Sequence, residues 1–266
     1  MFGVVPKTIW QRSNPSDEQN LCTWAMRCLL IEDGGRLILI DNGIGDKQSE
    51  KFFGHFHLHG SHSLLDSLNK AGFGPGDITD VFLTHLHFDH CGGGVRWADR
   101  ERQIPEMVFP NARYWTNRAH WKWATNPNAR ERASFLGENL NPMMESGQLH
   151  FVEPGEGGNA FPQFDILFVD GHTEKMMIPI IRYGSARLVF VSDLLPSTGH
   201  IPLPYIMAYD TRPLLTLEEK ASFLNRAADD GWVLFFEHDP LIECGRLHRK
   251  EGRIVLETAF ALSELK

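Results

Sequence analysis

The chain is poor in cysteine and lacks long apolar runs. Its 266 residues include four cysteines, Cys22, Cys28, Cys91 and Cys244. These are too few for a disulfide framework in a chain of this size and favour reduced thiols. No apolar stretch is long enough to span a bilayer, and residues 1–7 lack the basic flank and long apolar core of a signal peptide. We therefore expect a cytoplasmic protein with no membrane partner.

Basic residues are also in deficit. The chain has 26 Lys and Arg against 34 Asp and Glu, a formal net charge of −8. A protein that binds the phosphate backbone usually carries a basic face, so this balance argues against nucleic acid as a partner and favours a small-molecule substrate. No Pro/Ser-rich linker or charged tail divides the chain, which predicts a single domain over residues 1–266.

What the chain does have is a dense group of metal-ligand side chains. Residues 84–90 read Thr-His-Leu-His-Phe-Asp-His and directly follow an apolar run; we call them the histidine loop. Side chains two apart in an extended segment point the same way, so His85 and His87 can hold one ion together. Asp89 and His90 follow where the chain turns and can reach towards a second ion. Imidazole and carboxylate at this density suit zinc or a similar first-row cation.

Three further candidate ligands follow apolar runs that read as strands. His172 comes after the run at 164–170, Asp193 directly follows the run at 187–192, and His238 directly follows the run at 232–237. A polar residue at the close of a buried strand has left the core and can point into a cleft at its rim. Each residue alone could be a solvated turn residue, but together with the histidine loop they predict one metal centre.

The order of these residues resembles the metallo-β-lactamase superfamily, whose pattern is an HxHxDH loop, a His in a Gly-His-Thr turn, an Asp and a final His. The resemblance implies that a first metal takes His85, His87 and His172. It implies that a second takes Asp89, His90 and His238, and that Asp193 bridges the two. It also implies an α+β fold, a four-layer αββα sandwich of two mixed β-sheets with helices on the outer faces.

The remaining pattern agrees with that fold. Strand-like runs lie at residues 26–32, 36–40, 80–83, 113–115, 165–169, 177–182, 188–191, 232–236 and 253–256. Helix-like runs lie near residues 61–71, 117–125, 129–139 and 217–229. The last opens with Thr216-Leu217-Glu218-Glu219, which reads as a capping box.

This ligand set predicts a binuclear metal-dependent hydrolase in which a metal-bridging hydroxide attacks a small ester-like substrate. Asp89 can shuttle the proton to the leaving group. We expect two divalent ions, zinc first, with manganese, iron or cobalt also suited to these ligands. Lactones and phosphotriesters are the two substrate classes. Many lactonases of this branch have a Tyr three residues beyond the bridging Asp, where this chain has Pro196. The alternatives are a non-catalytic metal-binding protein and a metal-dependent nuclease of the same fold.

Several residues outside the ligand pattern carry hypotheses of their own. Asp41 ends an apolar strand, and the resemblance implies that it steadies the histidine loop by hydrogen bonds; an Asx turn is the plain alternative. Cys91 reads as a buried thiol or one behind the ligands. His200 and Tyr205 follow the bridging Asp and are candidates for substrate contact and catalysis, against a plain proline-rigid loop.

Two aromatic or histidine-rich stretches remain open. Five of the aromatic residues between the histidine loop and His172 are interpreted as core, with an apolar substrate pocket as the alternative: Trp97, Trp115, Trp121, Trp123 and Phe135. Four histidines alternate with phenylalanines and Leu58: His55, His57, His59 and His62. We interpret them as a flap with His towards solvent and Phe facing inwards. A third metal site is the alternative. The same apolar residues offer a contact for a homodimer.

Overall fold

The structure, a computed structural model, describes residues 1–155 and 160–265. The described chain divides into two compact units, each with a β-sheet of its own. The first unit is Cys28–Val152, and the second joins Met1–Arg27 to Glu153–Lys266.

The strands of the first unit are β1 Leu29–Asp33, β2 Arg36–Ile40, β3 Asp80–Phe82, β4 Val95–Asp99, β5 Ile104–Met107, β6 Arg113–Thr116 and β7 Leu149–Phe151. Those of the second unit are β8 Phe164–Val169, β9 Met176–Tyr183, β10 Ala186–Phe190, β11 Val233–Phe235, β12 Cys244–Lys250 and β13 Arg253–Phe260. The helices are α1 Lys7–Trp10, α2 Glu50–Gly54, α3 Leu64–Lys70, α4 Phe88–Cys91, α5 Arg118–Thr125, α6 Gly137–Glu145 and α7 Pro213–Asp229.

The sheet of the first unit has the strand order β1-β2-β3-β6-β7. The β1–β2 hairpin is antiparallel and turns at Gly34 and Gly35, whose φ angles of 56° and 85° suit a tight hairpin turn. Strands β2, β3, β6 and β7 run parallel. The central strand β3 is fully buried, and its carboxyl end leads into the histidine loop at the same edge where β2 ends.

The sheet of the second unit has the order β13-β12-β11-β10-β9-β8. Strands β10 and β11 are parallel, and the other neighbours are antiparallel. It follows that β8, β10 and β11 run in the same direction and end at one edge of the sheet. Leu224 and Ala227 of α7 pack into the core of this unit with Val189 and Leu234. The three downstream candidate ligands therefore all follow strands that finish at a common edge.

These elements confirm most of the predicted secondary structure, including β2 at residues 36–40. The α+β class with two mixed sheets is confirmed, while the single domain over residues 1–266 stays a prediction. Four strands were missed: β4, β5, β7 and β12.

Two helix predictions were wrong in detail. Residues 129–134 form turns rather than a helix, because the Asn128 side chain accepts hydrogen bonds from the backbone N–H groups of Arg130 and Glu131 at 2.8 and 3.2 Å. Helix α7 begins at Pro213, whose fixed φ suits the first helical position, so Thr216 lies inside the helix and caps nothing.

Among the described residues, no helix combines the length and the apolar character needed to cross a membrane.

Asp80 joins three strands of the first sheet. Its carboxylate lies 2.9 Å from Arg36 Nη2 and 3.0 Å from Arg113 Nη2, and it accepts hydrogen bonds from the Thr79 hydroxyl and Trp115 Nε1. Burial raises the pKa of Asp80, but the hydrogen bonds from Arg36, Thr79 and Trp115 and the charge of Arg36 outweigh burial and lower the pKa below its usual value. The ionised carboxylate therefore stabilises the fold above the unfolded-state pKa, and this contribution is lost as pH falls through the folded-state pKa.

We predict that Asp80→Asn lowers the free energy of unfolding by about 3 kcal/mol at pH 7, because it removes the charge between two arginines. Urea unfolding followed by circular dichroism measures this. The difference from the unsubstituted protein should shrink as pH falls below about 4, where the Asp80 carboxyl of the unfolded chain begins to take up its proton. A variant within about 0.5 kcal/mol at pH 7 would contradict a stabilising role for Asp80.

Candidate metal centre

The first two histidines of the histidine loop each place one ring nitrogen close to the other. His85 Nε2 and His87 Nδ1 lie 3.0 Å apart, and both side chains are buried. Two nitrogens bound to one zinc at about 2.1 Å each, at a tetrahedral angle, lie roughly 3.4 Å apart. The pair is therefore already close to the spacing that a shared cation needs.

His90 and Asp89 form the other end of the loop. His90 is fully buried, with its ring centre 3.9 Å from that of His85, and its Nδ1 lies 3.0 Å from Asp41 Oδ2. Its Nε2 lies 3.8 Å from Asp89 Oδ2, so these two atoms face the same space. The Asp89 side chain is about 30% exposed, which leaves its carboxylate open to solvent.

Asp41 holds the histidine loop in place, as predicted. One carboxylate oxygen accepts from the Thr84 backbone N–H at 2.7 Å, and the other accepts from the Thr84 hydroxyl at 2.7 Å and faces His90 Nδ1. These carboxylate contacts lie with Thr84 and His90 and fit the loop-holding role better than the Asx-turn alternative. Because Nδ1 of His90 is engaged, Nε2 is the nitrogen available to a cation.

In the second unit, Asp193 lies between two histidines. Its Oδ2 is 3.1 Å from His172 Nε2, and its Oδ1 is 3.0 Å from His238 Nε2. All three side chains are buried. Asp193 therefore places carboxylate oxygens beside two imidazole nitrogens, a donor set that suits a first-row cation.

The outer nitrogens of these two histidines are occupied by the protein. His172 Nδ1 lies 2.9 Å from Asp210 Oδ1, and His238 Nδ1 lies 2.7 Å from the Ala25 carbonyl oxygen. These contacts orient both Nε2 atoms towards Asp193. Asp210 is a functional residue that sequence reasoning missed, since it lies 38 residues from His172 and no local pattern marks it.

His200 is buried and packs against two aromatic side chains. Its ring stacks on Phe2 with centres 4.2 Å apart and meets the edge of Trp24, while Nδ1 lies 2.8 Å from the Ser197 hydroxyl. Burial, helped by the positive charge of Lys220, lowers the pKa of His200 to about 3, so the ring is neutral. A substrate contact by His200 stays a prediction.

Tyr205 lies in a loop that a buried lysine holds. The ammonium of Lys220 donates to the carbonyls of Pro202, Leu203 and Tyr205 at 3.0, 3.3 and 2.9 Å. Tyr205 itself is half-buried, and its ring lies nearly perpendicular to that of Phe2 with ring centres 6.3 Å apart. Its substrate contact also stays a prediction. In the sequence Lys220 looked like an ordinary helix residue, which is why its role was missed.

The aromatic residues of the insert serve mainly as core. Trp115 and Phe135 are buried, and Trp121 and Trp123 pack against the core of the first unit. Trp97 is half-buried, and its indole N–H donates to the Lys47 carbonyl at 2.8 Å. The core interpretation therefore describes them better than a substrate pocket.

Cys91 is a buried thiol, as predicted. Its side chain is fully buried and donates to the Leu86 carbonyl at 3.3 Å, and burial raises its pKa to about 12. A thiol in this state is a poor metal ligand.

The four histidines at residues 55–62 are exposed. Beside them, Phe52 and Phe56 pack on Phe88 of the histidine loop, with ring centres 5.3 and 4.9 Å apart. Among the described residues, none of these histidines belongs to a group of three His, Cys, Asp or Glu whose ligand atoms lie close enough to share an ion. This arrangement fits the predicted flap better than a third metal site. The homodimer contact stays a prediction.

Comparison with known proteins decides the family. The family model of the metallo-beta-lactamase superfamily matches residues 27–238, which include all seven candidate ligands. The chain belongs to this superfamily. An N-acyl homoserine lactonase of Bacillus cereus is 26% identical over 125 residues, 38% of this chain and 49% of the lactonase. The chain thus spans about half the length of the curated relatives it matches first.

Two solved structures match a larger share of this chain. A probable metal-dependent hydrolase from Staphylococcus aureus has a TM-score of 0.86 and 25% identity, with 100% of this chain and 92% of that one covered. The dizinc quorum-quenching lactonase AidC has a TM-score of 0.73 and 25% identity, covering 90% and 81%. These similarities confirm the predicted superfamily and fold class and support a metal-dependent hydrolase.

We predict that Asp41→Ala weakens Zn²⁺ binding by about 10- to 100-fold, because His90 and Thr84 lose the acceptor that orients them. Titration of the metal-free protein against a chromophoric zinc chelator measures this affinity. Asp46→Ala is the matched control, since Asp46 is an exposed aspartate in the same segment after β2 as Asp41. Equal affinities for both variants would exclude an orienting role for Asp41.

Proposed function

We propose that this protein is a binuclear metal-dependent hydrolase that acts on a small ester-like substrate, with lactones as the leading class. The observation that carries the proposal is the Asp193 carboxylate, whose two oxygens face nitrogens of different histidines. A carboxylate placed in this way could be shared between two cations.

The superfamily pattern assigns the ligands. His85, His87 and His172 would hold one ion. Asp89, His90 and His238 would hold the other, with Asp193 between the two. The donors fit this use, because each is an imidazole nitrogen or a carboxylate oxygen and nearly all are buried. Zinc suits this set first, and the similarity to a dizinc lactonase supports that choice over manganese, iron or cobalt.

The chemistry follows from what the residues do around the ions. When bound, two divalent cations would supply an activated water and polarise the substrate's electrophilic centre. Asp41, Asp210 and the Ala25 carbonyl fix the histidine rings so that no reorientation is needed during turnover. The partly exposed carboxylate of Asp89 would accept a proton from the activated water and pass it to the leaving-group oxygen.

The substrate class rests on similarity and on one departure from the family pattern. The curated relatives are named N-acyl homoserine lactonases, and AidC is a lactonase, which favours a lactone. Pro196 stands where many such lactonases have a tyrosine, which keeps phosphotriesters as the second class. The net charge of −8 remains the argument against a nuclease.

The first test is the metal content of protein purified without chelator or histidine tag. We expect two divalent ions per chain by elemental analysis. We also expect hydrolysis of N-acyl homoserine lactones that is faster than that of aryl phosphotriesters. Fewer than two ions after incubation with Zn²⁺ or Mn²⁺ would overturn the binuclear site. Two ions without hydrolysis of lactones, phosphotriesters or aryl esters would favour the non-catalytic metal-binding protein.

We predict that His172→Ala and Asp193→Ala each lower kcat/KM by at least about 1,000-fold, roughly 4 kcal/mol of transition-state stabilisation, while the protein stays folded. Steady-state kinetics with the best lactone measures this, and circular dichroism checks the fold. Asp165→Ala is the control for the loss of a carboxylate, since the Asp165 side chain is 55% exposed on β8. Near-normal activity in either ligand variant would refute the binuclear mechanism.

A further inference from the structure

Residues 117–135, which we call the brace, contact three consecutive residues of the histidine loop. The backbone N–H of Leu86 donates to His120 Nε2 at 2.9 Å, and that of Phe88 donates to the Ser134 carbonyl at 3.0 Å. Between these two contacts, Glu131 Oε1 lies 3.5 Å from His87 Nε2. The loop is thus held on both sides of His87, and the ring of His87 meets a carboxylate.

Glu131 is placed for this contact by its other hydrogen bonds. Its side chain is 3% exposed, and Oε2 accepts from Trp123 Nε1 at 2.7 Å and from Asn128 Nδ2 at 2.6 Å. Oε1 is therefore the oxygen that faces His87. A distance of 3.5 Å is longer than an optimal N–H···O hydrogen bond but lies within the range of an ion pair. A carboxylate this deeply buried is strongly destabilising unless it is paired.

The position of Glu131 is built into the brace itself. Asn117 caps α5 by accepting from the backbone N–H of His120 at 2.8 Å. The Asn128 side chain then turns the chain by accepting from the backbone N–H of Glu131. Phe135 packs on the His87 ring with centres 4.8 Å apart. These contacts leave the carboxylate little freedom to move away from His87.

A carboxylate beside His87 Nε2 determines where the proton of the neutral ring lies. With the proton on Nε2, the lone pair of Nδ1 points towards His85 Nε2, the nitrogen 3.0 Å away. We infer that Glu131 is a positioning residue that holds His87 in the Nε2–H form, so that Nδ1 is presented to a metal ion. This inference rests on the proposed function for the identity of the ligand, and Glu131 lies outside the seven-residue ligand pattern.

Glu131→Gln tests the inference with little change of shape. The amide oxygen can still accept from Trp123 and Asn128, which turns the amide NH₂ towards His87 Nε2. An N–H donor at that position favours the opposite ring form, with the proton on Nδ1. In the metal-free variant at pH 8, side-chain ¹⁵N NMR should therefore show His87 with the proton on Nδ1. Zn²⁺ affinity, measured by competition with a chelator, should fall at least about tenfold.

Two control variants separate the carboxylate from general structural effects. Glu145→Gln removes the same charge from an exposed position at the end of α6 and should change neither readout. Trp123→Phe removes one donor to Glu131 but keeps the carboxylate, so His87 should retain the proton on Nε2.

The outcomes distinguish this inference from the proposed function. If Glu131→Gln leaves the proton on Nε2 and Zn²⁺ affinity within twofold, the inference is wrong while the metal site stands. If the unsubstituted protein binds no Zn²⁺, the proposed function falls instead. If the variant does not fold, the NMR spectrum of the unsubstituted metal-free protein decides, since a proton on Nδ1 of His87 would overturn the inference.

Discussion

The constraint on which the rest of the structure depends is that a buried imidazole must satisfy both of its nitrogens. A histidine that offers one ring nitrogen to a cation needs the protein to occupy the other, because an unpaired polar atom in the interior is costly. Three groups meet this need on the outer side of the rings: Asp41 for His90, Asp210 for His172 and the Ala25 carbonyl for His238. Beside the outer nitrogen of His87, Glu131 Oε1 lies 3.5 Å away. These contacts determine which nitrogen each ring offers, and hence how an ion can be bound.

The two sheets supply the positions from which these groups act. In the first unit, β2 and β3 are parallel, so Asp41 and the histidine loop emerge at the same edge. In the second unit, β8, β10 and β11 run in the same direction, so His172, Asp193 and His238 follow strands that end together. The apolar strands provide a rigid frame, and the polar residues begin where the backbone pairing stops. A substitution in the few residues that follow a strand can therefore alter the chemistry of the site without disturbing the core.

This division also explains what the sequence could and could not reveal. The central strands and the residues that follow them were predictable, because an apolar run that stops at His or Asp is a local pattern. Asp210 and Glu131 were not, since they act on histidines 38 and 44 residues away in the chain, and nothing nearby marks them. Strand β12 was missed because Arg246, Lys250 and their polar neighbours hide its alternation. The turn at residues 129–134 was mistaken for a helix because the Asn128 side chain competes with helical hydrogen bonds.

The loop that follows Asp193 is held by a set of contacts of its own, which bears on how substrate class could diverge under the proposed function. The loop that begins at Pro196 is held by the backbone of His238, by the Asp239 side chain and by Lys220. The Pro196 carbonyl accepts from the His238 backbone N–H at 3.2 Å, and Asp239 accepts from the Thr198 backbone and hydroxyl. Lys220 fixes the same loop further on through three carbonyls. Because all of these contacts except that of the Thr198 hydroxyl use backbone atoms of the loop, most of its side chains can vary while its path is kept. Under the proposed function, Pro196 contacts His238 through its carbonyl, so a change of side chain at position 196 is expected to alter substrate class before it alters the placement of His238.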